Sequence, residues 1–315
     1  MTDTETPRVF GRPVDDAAAA LAAATDRDAD MVADDLSLFV VDGIVSRDRV
    51  DDALAGLSKV VSTPETRLEV AAREVERAHD AAAGVADLDT VTHRLDGLDD
   101  RLAAVESEVA TLGNRLTGLL DQAGDPAAAT DVARGVEALT DDANIVQAAA
   151  DDLRGDAEAT KRWAEDPETR SQEFGEHVDA VAASVDRTAD AAGWLTGEAD
   201  DLPEWRSTDD PGVVWAEART SAHVADLLVA DLRAELADLR TWAAREGTDP
   251  GLADDAARVE DLAARRDHIA DRLDDAARPA WREAHADRVG HAIEALATFD
   301  PPVAWGAVRA ALDEL

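Results

Sequence analysis

Asp26, Asp28 and Asp30 make the D-x-D-x-D opening of a calcium loop, in which alternating oxygen ligands converge on a hard cation. The rest of the loop does not follow. Met31 stands where a turning glycine is needed, and Ser37 where the bidentate glutamate belongs. Asp42-Gly43-Ile44-Val45-Ser46 reads as the second half of such a loop. Its earlier ligand positions are Leu38 and Val40, however, and Arg49 replaces the glutamate. A metal-free joint between helices is the better reading.

His285 and His291, with Glu283 and Asp287, come nearest to a transition-metal cluster. The histidines are six apart, not four, and no H-E-x-x-H occurs, so exposed helix histidines are expected. Phosphate-cradling G-x-x-x-x-G-K-[ST] and G-x-G-x-x-G segments are missing, as is the G-x-S-x-G nucleophile turn. Carboxylates are so numerous that no general acid–base pair stands out. The expectation is a non-enzyme with no catalytic, cofactor-binding or metal-ligating residues.

The 70 Asp and Glu outnumber 31 Lys and Arg, for a formal charge of -39. Only Lys59 and Lys161 are lysines. Carboxylates hold water where water is scarce, and molar salt shrinks the Debye length to about 3 Å, which screens their repulsion. The composition is that expected of an extreme halophile's protein. It disfavours nucleic-acid binding, because no basic stripe exists and the overall field repels phosphate. The chain has no cysteine, which excludes disulfides and zinc–thiolate sites. No stretch approaches the roughly 18 apolar residues of a membrane helix, and Met1–Pro13 lacks a signal-peptide core. A cytoplasmic location without membrane insertion is expected.

The elements that must position these residues are helical. Leu88, Val91, Leu95, Leu98, Leu102, Val105, Val109, Leu112, Leu116 and Leu119 alternate spacings of three and four, the a/d seam of a coiled coil. At about 1.5 Å per residue the seam is roughly 48 Å long. A second series runs Val132, Val136, Leu139, Ala143, Val146, Ala150, Leu153, Ala157 and Thr160. A third runs Phe174, Val178, Val181, Val185, Thr188, Ala192 and Leu195. Thr63-Pro64, Asp125-Pro126, Asp166-Pro167, Asp210-Pro211, Asp249-Pro250 and Asp300-Pro301 read as cap-plus-proline helix starts.

The predicted class is all-α: long helices in coiled-coil hairpins or an elongated bundle, with a small N-terminal helical subdomain. About three quarters of the residues are expected in helix, against a usual third. Residues 1–13 are expected to be disordered, 14–62 to form the subdomain, 64–200 the hairpin region, and 201–315 a Trp-containing bundle. The short Gly124-Asp125-Pro126 joint favours pairing of the first two series within one chain. In that hairpin Asp99 would meet Arg154, Arg94 would meet Asp156, and Glu108 would oppose Asp142. Self-association remains open through other faces.

All seven tryptophans lie in the C-terminal half: Trp163, Trp194, Trp205, Trp215, Trp242, Trp281 and Trp305. Bundle packing is the plain reading; an aromatic docking surface, with Trp205 exposed, is the alternative.

Several stretches are similar to the haloarchaeal family labelled halo transducer protein. They are Val41-Asp42-Gly43-Ile44-Val45-Ser46-Arg47, Asp51-Asp52-Ala53-Leu54, the run from Leu57 to Arg67, and Val85-Ala86-Asp87-Leu88-Asp89. The resemblance implies kinship to chemotaxis transducers, although the A-R-A-G-E-x-G-R-G-F-A-V-V-A tip of their signalling hairpin is not in this chain. The expected function is a coiled-coil scaffold or signalling adaptor with protein partners; a sensory or ligand-binding helical module is the alternative.

Overall fold

Residues 8–199, 208–248 and 251–314 are described by the computed structural model. Among them are eleven α-helices, and 85% of the described residues are helical. The helices are α1 (Val14–Thr25), α2 (Ala29–Leu36), α3 (Arg47–Ala82), α4 (Asp89–Gln122), α5 (Ala129–Glu165) and α6 (Pro167–Thr196). Then come α7 (Pro211–Glu246), α8 (Ala253–Ala276), α9 (Pro279–Ala284), α10 (Ala286–Leu296) and α11 (Trp305–Asp313). No described helix is long and apolar enough to cross a membrane.

Proline and aspartate set three of the boundaries as the spacing predicts. Asp166 caps α6 by accepting the Glu168 amide, and Asp210 caps α7 by accepting the Gly212 amide, each with proline at the first helical position. Asp125 caps the single 3-10 turn Pro126–Ala128 ahead of α5. Two joints do not follow. Pro64 lies inside α3 and is buried. Its missing amide removes the helical bond to the Val60 carbonyl. Burial outweighs the local signal here. Val50, Leu54, Leu57, Val61, Pro64, Ala71, Val75, Ala78 and Ala82 are buried at heptad spacing along the same helix. Asp300-Pro301 does not open a helix either, since α11 starts only at Trp305. Asp249-Pro250 lies outside the described residues, as does Trp205.

Two compact units divide the chain: residues 1–80 with 95–161, and residues 81–94 with 162–315. In the first unit, residues 8–13 are ordered, against expectation. Val9 is buried, and Gly11 and Arg12 exchange backbone bonds with Val45. Val45 belongs to a two-stranded hairpin, β1 (Val40–Val41) and β2 (Ile44–Val45), around Asp42 and Gly43. Both turn residues have positive φ, 50° and 79°, as the tightest hairpin turn demands. The expected helical joint is therefore a hairpin, and Asp-Gly was its signal.

The second heptad series is buried at every position of α5 from Val132 to Thr160. In the first unit it packs against Val105, Val109, Leu112, Leu116 and Leu119 of α4. Ion pairs Arg101–Asp156 and Arg115–Asp142 make the two helices antiparallel. This part of the seam thus packs on α5 of the same chain, one heptad away from the expected register. Asp156 meets Arg101 instead of Arg94, and Asp142 meets Arg115 instead of opposing Glu108. Arg154 bonds Glu158 on its own helix, and Asp99 meets His79 of α3.

Candidate functional site

The residues first considered for chemistry serve as joints. Asp26 ends α1 in the left-handed region, and Asp28 caps α2 by accepting the Asp30 and Met31 amides. His285 is the break between α9 and α10. No group of three or more His, Asp or Glu side chains among the described residues could hold a metal.

Convergence of polar side chains occurs instead on α7, in the second unit. Asp231, Glu235, Asp238, Trp242 and Glu246 succeed one another at spacings of three or four and so share one helix face. Each reaches a different neighbour. Asp231 accepts the Val303 amide at 3.0 Å and the Trp305 indole N–H at 2.8 Å. Burial pushes its carboxyl above the usual range, partly opposed by those two donors. Glu235 lies 3.0 Å from His177 Nδ1 of α6, and this contact holds the imidazole above its ordinary pKa. Asp238 accepts the Thr90 amide at 2.8 Å, satisfying a free donor at the start of α4.

At the far end of the stripe Arg170 is only 5% exposed. Its guanidinium donates to Glu246 at 2.6 Å and to the Ala164 and Trp163 carbonyls at 2.8 and 3.2 Å. Those carbonyls are the unpaired end of α5. The same cation lies 4.0 Å from the Trp242 ring centroid, and the Trp242 indole donates to Glu246 at 2.7 Å. Trp163 meets Trp242 edge to face, with centroids 5.1 Å apart and an interplanar angle of 82°. Arg94 covers Trp163 from 4.1 Å and pairs with Glu173. Trp163 Nε1 and Thr90 Oγ1 are buried without a hydrogen-bond partner.

This arrangement orders charges and rings without leaving space for a substrate beside Arg170. The void lined by Pro167, Arg170 and Leu239 is about 10 Å³, barely the roughly 10–15 Å³ that one water needs. The tryptophans sort accordingly. Trp163, Trp215 and Trp242 are buried packing residues, whereas Trp194, Trp281 and Trp305 are half-buried. Sequence reasoning missed Arg170, Glu246 and the acidic α7 stripe. The one available signal was the 3–4 spacing of polar residues along a helix that already had an apolar face.

No protein-family model, curated protein or solved structure matches the chain.

Proposed function

We propose that this chain is a non-enzymatic helical scaffold or signalling adaptor of a halophilic archaeon, acting in the cytoplasm and engaging protein partners through its helical faces. The α7 stripe carries the reading. Asp231, Glu235, Asp238 and Glu246 each hold a neighbouring segment, so groups able to do acid–base chemistry instead fix helices in place. The packing of Val105 to Leu119 of α4 against the buried series of α5 supports the same reading. The likeness to halo transducer proteins supports a role in signalling, and the charge of -39 supports a saline interior and disfavours nucleic acid as a partner.

A ligand-binding module is the second reading. It is favoured by a cavity of about 320 Å³ in the second unit, where Arg288 and Glu217 face Thr220 and Ser221.

Crosslinking and purification of the native chain in molar KCl test the first reading. The expected result is a protein partner in fixed ratio, crosslinked to exposed helix faces. A chain recovered alone with a bound small molecule would decide for the second. The halophilic part has its own test: helicity and melting temperature should rise from about 0.01 M to molar KCl as screening removes self-repulsion.

A further inference from the structure

We propose that His177, Glu235 and Asp231 form a pH-operated latch: with His177 protonated, α7 holds α6 and the segment leading into α11 together, and loss of that proton releases the α11 end.

His177 balances charge between α6 and α7. Its Nδ1 lies 3.0 Å from Glu235 of α7, whose side chain is only 13% exposed. Its Nε2 lies 3.9 Å from Glu173, one turn back on α6, and Glu173 is already paired with Arg94 at the start of α4. α8 meets α6 through the ion pairs Asp179–Arg258 and Asp186–Arg265, in which both charges are matched. Glu235 has no ion-pair partner but His177 among the described residues. The histidine side chain is 44% exposed, so solvent protons reach the ring while the carboxylate it faces stays largely out of water.

Asp231 stands one turn before Glu235 on the same face of α7. It is half-buried, and its two oxygens accept the Val303 amide and the Trp305 indole N–H. Burial and the Glu235 charge both disfavour its ionised form, while those two donors and His93 of α4 favour it. With His177 protonated, a cation sits against the two carboxylates. A neutral imidazole can still donate one hydrogen bond to Glu235, but it leaves that charge uncompensated. Asp231 and Glu235 then repel across one turn, in a site too dry for salt to screen fully.

The weaker attachment gives way. α11 has nine residues, fewer than the roughly 12–15 at which an isolated helix becomes even marginally stable. Ala304 supplies no side-chain cap, and Val308 is its single fully buried residue. Asp231 relieves the repulsion by turning to water, which drops both Val303 and Trp305.

Hydrogen exchange of the full chain in molar KCl, corrected for intrinsic rates, tests the latch. Amides of residues 303–313 should lose at least about tenfold of their protection between about pH 6 and pH 9, while residues 253–276 of α8 change by less than about threefold. His177→Lys keeps a cation in place throughout that range and should shrink the loss to within about twofold. Glu235→Gln removes the repelling charge and should do the same. Protection of the parent that does not change with pH overturns the proposal. So does a loss that persists in His177→Lys, since it places the response elsewhere, His93 included. The reciprocal measurement needs neither variant. Coupling is mutual, so opening the latch with Trp305→Ala should lower the titration midpoint of His177, followed by NMR, by about one pH unit, the equivalent of that tenfold. An unchanged midpoint would sink the idea.

Discussion

α5 and α7 are nearly equal in length, 37 and 36 residues, yet different forces hold them. α5 buries an uninterrupted heptad series of Val, Leu and Ala, ending at Thr160, and keeps its charges at exposed edges. α7 buries apolar residues too, but its acidic stripe reaches α4, α6 and the segment before α11 through named polar contacts. The first arrangement is strong and repetitive. The second is specific. A heptad seam displaced by seven residues still meets apolar with apolar, whereas Arg170 moved by one heptad would leave Glu246 with the Trp242 indole alone and two helix-end carbonyls without a side-chain donor. Salt separates them further. Exposed ion pairs fade at high ionic strength, while partly buried ones are screened far less.

If α5 is held by burial, an acid at its centre should have the largest effect of any single change. Leu139 is fully buried. Leu139→Asp should cost more than about 4 kcal/mol, and Leu139→Ala about 2–5 kcal/mol from the cavity left behind. Thermal melts followed by circular dichroism in molar KCl would measure both. A Leu139→Asp chain that melts with the parent would remove the basis for the contrast.

On α7 the corresponding break is electrostatic. Arg170→Met leaves Glu246 with the Trp242 indole alone and strips the α5 carbonyls of their donor. A loss of about 3–5 kcal/mol is expected, as for other broken buried pairs. Adding Glu246→Gln should recover part of it, because the uncompensated charge is gone. Arg170→Lys should not restore stability, since an ammonium cannot bridge Glu246 and the helix end while lying flat on Trp242. Full rescue by lysine would mean that the site needs only a positive charge.

The same contrast explains what could be read from the sequence. Burial at helical period was legible. Every position of the second series is buried, and α7 starts at its Asp210-Pro211 cap. Register was not legible, because displacing α4 against α5 by one heptad preserves the Leu/Val-to-Ala match. The expected charge pairs moved by that interval, from Arg94 to Arg101 and from Glu108 to Arg115. Pro64 was misread because its cap-like Thr63 is a local signal, whereas its place in the α3 seam is set by partners far away in the chain. Arg170 and the α7 stripe stayed hidden for a related reason. In a chain with 70 acidic residues, those that have partners look the same as those facing solvent.

Titration of His177 sharpens the comparison at smaller scale. Glu235 raises its folded pKa above the ordinary value near 6.5, with burial opposing. Stability from a raised pKa is fully present below the unfolded value and is lost as pH rises through the folded one. The melting temperature should therefore fall as pH rises above about 6.5, by more in the parent than in His177→Gln. Identical slopes would show that the histidine contributes nothing to holding α6 on α7.

The smallest effect is expected at the rim of the α4–α5 pair, and its smallness is informative. Arg101 and Asp156 are 47% and 55% exposed at their side chains. A double-mutant cycle with Arg101→Gln and Asp156→Asn should give a coupling below about 0.5 kcal/mol in dilute buffer. It should be smaller still in molar salt, where the Debye length is about 3 Å. The observed register must then come from shape. At the turn end, Gly135 lies so close to Leu119 that a Cβ built there would sit 2.4 Å from a Leu119 methyl. Displacement by a heptad would take Leu119 away from Gly135, where there is no side chain in its way, and would set Glu108 opposite Asp142. Gly135→Ala should therefore perturb the hairpin more than loss of the Arg101–Asp156 pair does. A coupling above about 1 kcal/mol in molar salt would reverse that ranking and make the rim charges the determinant of register.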